Sequence, residues 1–123
     1  MSRTVAVIGA SANRQKYGNK AVRAFKARGY TVWPVNPHAA SIEGMQAYRS
    51  VAELPATPDM ITVYVPPAIG LTLIDDLARV GADEVWLNPG SESDELLARA
   101  RALGLEPILA CSIMGIGESP SRY

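Results

Sequence analysis

The sequence predicts an α/β domain in which helices cover both faces of a parallel five-stranded sheet, and three observations lead there. Short apolar runs rich in β-branched residues recur along the chain, as in VAVI at 5–8 and MITVYV at 60–65. A strand with almost no polar side is one buried on both faces, the situation of a parallel sheet. Between these runs the apolar residues return at helical spacing, as Ala21, Val22 and Phe25 do, or Ile69, Leu73, Ile74, Leu77 and Val80. Glycine or proline then punctuates the alternation, at Gly9, Gly29, Pro66, Gly81, Gly90 and Gly104.

Each element has its own signal. The first strand is TVAVI at 4–8, cut off by Gly9-Ala10-Ser11 and followed by a helix that stops at Gly29. TVWPV at 31–35 is the second strand, expected to be short with Pro34 near its end, since proline lacks a ladder donor. From 39 to 50 periodicity is weak, and a loop with an extended piece near 45–48 is expected. Ser50-Val-Ala-Glu53 has capping-box spacing and predicts one helical turn, closed by Pro55. The third strand is 60–65, and the helix after it ends at Gly81. EVWL at 84–87 is the fourth strand, broken by Asn88-Pro89-Gly90. Ser93 or Ser91 caps the next helix, which buries Leu96, Leu97, Ala100 and Leu103 before Gly104. The last strand lies at 106–110, and the tail from Cys111 to Tyr123 is expected to be irregular, with a disordered end. Strands alternating with helices, in two halves that meet near Pro55, predict a three-layer, Rossmann-like arrangement with strand order 3-2-1-4-5.

Composition narrows the function. At 123 residues one domain spanning 1–123 is expected, with an irregular tail at about 112–123. The 12 basic and 12 acidic side chains cancel, so no broad positive field draws nucleic acid or an anionic membrane. An anion must be held locally, by geometry. A single cysteine allows no internal disulfide, and with a single histidine it cannot build the usual zinc cage. No apolar run nears the roughly 20 residues of a membrane span, and no signal region precedes the first strand, so a cytoplasmic protein is expected.

In sheets of this kind ligands bind beyond the carboxyl ends of the strands, beside strand one. The turns Gly9-Ala10-Ser11, Val35-Asn36-Pro37, Tyr64-Val65-Pro66 and Asn88-Pro89-Gly90 all belong to that edge. They are small, rigid and uncharged. Gly9 lets a phosphate approach the backbone, Ala10 and Ser11 offer amides, and the Ser11 hydroxyl can donate. Arg14, Lys16 and Lys20 supply local positive charge, and a diphosphate suits the combination. Which nucleotide is a sharper question. The dinucleotide fingerprint wants G-x-G-x-x-G and an acidic residue ending strand two. Here Gly9 is followed by Ser11 and Arg14, the next glycine is Gly18, and strand two ends in Asn36-Pro37. That argues against ordinary NAD binding.

Several motifs resemble one family. VIGAS at 7–11, GYTVWPVNP at 29–37, SVAELP at 50–55 and DMI at 59–61 are similar to the small, single-domain CoA-binding proteins. YVP at 64–66 also resembles the CoA-binding N-terminal domain of the succinyl-CoA synthetase α subunit. The resemblance covers about residues 4–111. It implies a Rossmann-like fold with the CoA diphosphate on Gly9, Ala10 and Ser11, and the nucleotide end near Val35, Asn36 and Pro37. Tyr64, Val65 and Pro66, with Asn88, Pro89 and Gly90, flank the nucleotide or the pantetheine. Many small relatives carry Arg-Pro-Ser where this chain has Lys16-Tyr17-Gly18, so the charge is kept and the turn differs. The synthetase's phosphorylated histidine lies outside the part the resemblance covers, so ligase chemistry is not carried over.

The remaining reactive side chains have simpler explanations. His38 has no evident nucleophile or orienting carboxylate beside it and reads as a solvent-facing turn residue. Cys111 reads as an inert thiol ending an apolar strand. Asp75, Asp76, Glu92, Asp94 and Glu95 serve helix solubility and dipoles better than catalysis. Trp33 and Trp86 read as core or interface. The sequence thus favours a protein that holds CoA or acyl-CoA and is not itself a catalyst. The alternatives are an NAD(H) or adenine-nucleotide sensor, and an enzyme using Cys111 or His38. A homo-oligomer or a partner subunit is left open.

Overall fold

The structure, a computed structural model, describes residues 3–123. Strand β1 (Thr4–Ile8) leads to helix α1 (Tyr17–Ala27) and strand β2 (Thr31–Val35). A small hairpin, β3 (Ser41–Ile42) and β4 (Met45–Gln46), and a 3-10 turn (Val51–Glu53) precede β5 (Met60–Val63). Then come α2 (Pro67–Val80), β6 (Glu84–Leu87), α3 (Asp94–Ala102), β7 (Ile108–Leu109) and α4 (Ser112–Gly115), with a last 3-10 turn at Pro120–Arg122.

The five-stranded sheet runs β2-β1-β5-β6-β7 and every pairing is parallel. A parallel bridge between Val35 and Tyr48 adds an outer position beside β2. Counted from that edge, the Tyr48 segment, β2, β1, β5 and β6 take the 3-2-1-4-5 arrangement, with β7 added beyond. The run at 60–65 therefore stands beside β1 and not beyond β2, as its burial along the whole of β5 requires. Alternation sorts β1 into two cores: Val5 and Val7 face α1 and α4, Ala6 and Ile8 face α2 and α3. This is the Rossmann-like sandwich of the expected class.

Local differences from expectation have physical causes. Pro34 sits inside β2, opposite Val7. Its carbonyl accepts the Tyr48 N–H at 2.8 Å, so its missing N–H faces the outer edge, where the loss is tolerated. The weakly periodic stretch after β2 folds into the β3–β4 hairpin around Glu43 (φ 50°) and Gly44 (φ 76°), both in the left-handed region of a tight primed turn. Ser50 opens its turn without a side-chain cap, the Glu53 N–H bonding the Ser50 carbonyl instead, so the capping box is not formed. Ser93 does cap α3, accepting the Leu96 N–H at 3.1 Å.

The tail is ordered where irregular chain was expected. Ile113 is fully buried in the α1-side core, and Ile116 and Tyr123 pack against it. The Arg23 guanidinium lies 5.6 Å from the Tyr123 ring centroid, and the Tyr123 hydroxyl donates to Glu118. The Arg23–Tyr123 ring contact, an Arg23 hydrogen bond to the Tyr123 backbone oxygen and an ion pair from Arg28 to Glu118 thus hold residues 111–123 around α1.

Candidate functional site

The carboxyl end of β1 is shaped by two glycines. Gly9 adopts φ +85°, turning the chain off the strand, and a Cβ there would lie 2.9 Å from Val65 Cγ1 and 3.0 Å from the Tyr64 carbonyl carbon. The turns after β1 and β5 therefore touch backbone to backbone. Gly18, on the first turn of α1, is tighter still: a Cβ would stand 2.2 Å from the Gly9 oxygen. Helix α1 can reach this close only without a side chain there, the packing role of the last glycine in dinucleotide loops.

Side chains then lock the loop between them. Ser11 Oγ accepts the Asn13 N–H, and Asn13 Oδ1 accepts the Gln15 N–H, each at 3.0 Å. The Ser11 hydroxyl proton is left to donate elsewhere. Asn19, fully buried on α1, donates from Nδ2 to the Ser11 carbonyl (2.8 Å) and to Glu43 Oε2 (3.0 Å). Helix α1 has Lys16 at its N-cap position, with no side-chain cap and no acid in its first turn, whereas α3 carries Ser93, Asp94 and Glu95. The positive end of the α1 dipole is thus uncompensated by its own sequence.

Under the turns of β5 and β6 lies a buried polar network. Asn88 donates from Nδ2 to Thr62 Oγ1 (2.7 Å) and to the Val63 carbonyl (2.8 Å), and its Oδ1 accepts the Ser112 N–H at 2.8 Å. The Ser112 hydroxyl contacts Thr62 Oγ1 at 2.7 Å and the Tyr64 hydroxyl at 3.2 Å. Ser91 Oγ donates to the Val63 carbonyl. Among the described residues no buried side-chain polar atom lacks a partner. Burial pushes the Tyr64 phenol up to about 12, against the hydrogen bond from Ser112, which lowers it. A raised value means that the folded chain holds this proton more tightly, so the associated stability is complete below pH 10 and lost as pH rises towards 12. Between pH 10 and 12 the parent chain is expected to lose stability that Tyr64→Phe, with no phenol to titrate, does not lose, as denaturant titrations at successive pH values would show.

These elements enclose a cavity of about 740 Å³, a size usual for small-molecule sites. Of the expected residues it brings together Gly9, Ala10, Ser11, Lys16, Asn36, Tyr64, Val65, Pro66, Asn88, Pro89 and Gly90. Lys16 is the charged residue of the lining. Four expected residues lie elsewhere, among them Lys20, whose ammonium sits 5.2 Å from the Tyr17 ring centroid and outside the lining. Arg14 is drawn 3.4 Å from Glu43, whose carboxyl the Asn19 hydrogen bond and this guanidinium hold below the usual range. Val35 is buried in β2 as a core residue, and Pro37 is exposed in the turn beyond it. Asn36 lines the cavity, yet its Nδ2 clamps the Ala10 carbonyl at 2.8 Å and its Oδ1 accepts the His38 N–H at 2.7 Å. Its side chain joins two turns. His38 itself is exposed and outside the lining.

Tyr17, Gly18, Ser91, Cys111, Met114 and Pro120 line the cavity without having been expected to bind. Tyr17 and Met114 are exposed apolar side chains at its rim, the kind of signal only tertiary structure supplies. Among the described residues no group of three or more His, Cys, Asp and Glu is placed to hold a metal ion, and no helix is long and apolar enough to cross a membrane.

Residues 3–116 match the family described as a CoA binding domain. The chain belongs to that family. Over 98% of its length it is 29% identical to the acetate–CoA ligase (ADP-forming) I subunit alpha of Pyrococcus furiosus, of which it spans 29%. Over 52% of its length it is 38% identical to the II subunit alpha from the same organism, of which it spans 14%. It therefore spans less than a third of either relative. Among solved structures, a conserved hypothetical protein from Pyrococcus furiosus superposes with a TM-score of 0.86 at 38% identity, covering 92% of this chain and 98% of that one. The dinucleotide-forming acetyl-coenzyme A synthetase 1 of Ca. Korarchaeum cryptofilum, in complex with phosphate and ADP, superposes at 0.72 with 30% identity over 85% of this chain and 25% of its own.

Proposed function

We propose that this CoA-binding domain holds CoA or an acyl-CoA at the carboxyl edge of the sheet, and that its task is binding and not catalysis. The observation that carries the reading is the cavity lining. Its Gly9-Ala10-Ser11 turn, the uncapped start of α1 and Lys16 form one positive corner, and the rest of the lining is uncharged. A diphosphate suits the corner, and the uncharged arm of CoA suits the rest. In this reading Gly9, Ala10, Ser11 and Lys16 hold the diphosphate. Asn36 holds its turn in place, while Tyr64 to Pro66 and Asn88 to Gly90 flank the arm. Arg14, Val35 and Pro37 drop out of direct contact. The likeness to ligase subunits supports a further step: the chain supplies the CoA-holding part of a reaction whose chemistry a partner performs.

Native mass spectrometry of the purified chain with CoA tests this, one CoA per chain being expected and an unshifted mass being the adverse result. Lys16→Ala is expected to weaken CoA binding by about fivefold and to reduce its salt dependence. The fold should be unaffected, since Lys16 is exposed and makes no cap. Equal affinity in titrations of parent and variant would mean that the backbone alone holds the phosphates.

A further inference from the structure

Hydrogen-bond arithmetic in the buried network leaves one proton over. Thr62, Ser112 and Tyr64 bring three hydroxyl protons, and two close hydrogen bonds join them, Thr62 to Ser112 at 2.7 Å and Ser112 to Tyr64 at 3.2 Å, with Thr62 a weaker neighbour of the Tyr64 phenol. Each contact consumes one proton. Thr62 and Ser112 are both fully buried, so a spare proton on either would be a buried donor without an acceptor, a costly arrangement. Tyr64 alone of the three borders the cavity. The low-cost assignment therefore runs in one direction. Asn88 Nδ2 donates to Thr62, Thr62 donates to Ser112, Ser112 donates to Tyr64, and the Tyr64 proton points into the cavity.

The surroundings identify the acceptor. Lys16 is the cation of the lining, and the groups that bear on the Tyr64 hydroxyl are Ser112, Thr62, Cys111 and Tyr17, none of them a cation. A phosphate brought there would find a single neutral donor and no cation. An amide or thioester carbonyl needs only that donor.

We infer that the Tyr64 hydroxyl is a ligand-binding donor, aimed by Ser112 and Thr62 at a carbonyl oxygen in the amide-bearing arm of CoA or in its acyl group. The inference rests on the CoA reading and adds to it a residue that reads the arm and not the nucleotide. With its proton held up to about pH 12 the phenol stays a donor throughout the physiological range.

Titrations of parent and Tyr64→Phe with CoA and with 3′-phospho-ADP, which is the nucleotide end without the arm, test it. Phenylalanine keeps the ring and removes only the oxygen. The expected result is an affinity for CoA about tenfold lower in the variant and an unchanged affinity for 3′-phospho-ADP. An equal loss with both ligands would assign Tyr64 a structural role, and no loss with either would show that the proton finds no acceptor; both outcomes overturn the inference. If the parent chain binds 3′-phospho-ADP and not CoA, the CoA reading itself fails, visibly and before the variant is used, and the inference falls with it.

Discussion

Gly18→Ala is expected to destabilise the chain by about 3 kcal/mol, the upper end of the cost of overpacking, which is roughly 10 °C in melting temperature at this size. The added methyl would stand 2.2 Å from the Gly9 oxygen, a backbone atom that cannot swing away as a side-chain tip could. Either α1 retreats or the β1 turn is pushed aside, and each movement opens the corner proposed to hold a diphosphate. The variant should therefore lose CoA affinity as well as stability, measured by thermal melts and titration. A helical glycine without such contacts would show the opposite sign on replacement, because alanine is the better helix former.

Asn88→Ala is expected to cost about 3 kcal/mol by a different route, removal of one partner from buried polar groups. Three contacts vanish together: the donors to Thr62 Oγ1 and the Val63 carbonyl, and the acceptor of the Ser112 N–H. Denaturant titration would register the loss as a lower midpoint. Asn88→Asp should rescue little of it, because a carboxylate restores the acceptor for Ser112 and places negative charge against the Val63 carbonyl. Since Ser112 begins α4, the same change should also loosen the link between the β6 turn and the tail.

The sheet and its helices were legible because the strands carry their burial in their own residues: β5 is apolar but for Thr62, and it lies buried on both faces in the middle of the sheet. The turns at Gly9, Pro66 and Gly90 were legible for a similar reason, since glycine and proline state their backbone conformation locally. What sequence could not show was side-chain engagement across turns. Arg14 reads as a free cation beside a phosphate loop until a hairpin formed by Ser41–Ile42 and Met45–Gln46 brings Glu43 against it. That hairpin rests on Glu43 at positive φ, a position where local propensity gives no warning. Asn36 and Asn88 likewise looked available to a ligand, and both amides are committed to backbone partners. The ordering of the tail depends on two pairs remote in sequence, Arg23 with Tyr123 and Arg28 with Glu118.

CoA binding at the carboxyl edge is tested most directly by calorimetric titration of the chain, freed of co-purified ligand, with CoA, acetyl-CoA, NAD, NADP and ATP. Saturable heat with CoA or acetyl-CoA at one ligand per chain, and weaker binding of NAD, is the predicted result. No heat with either CoA species up to millimolar concentration, or tighter binding of NAD than of both, would contradict it.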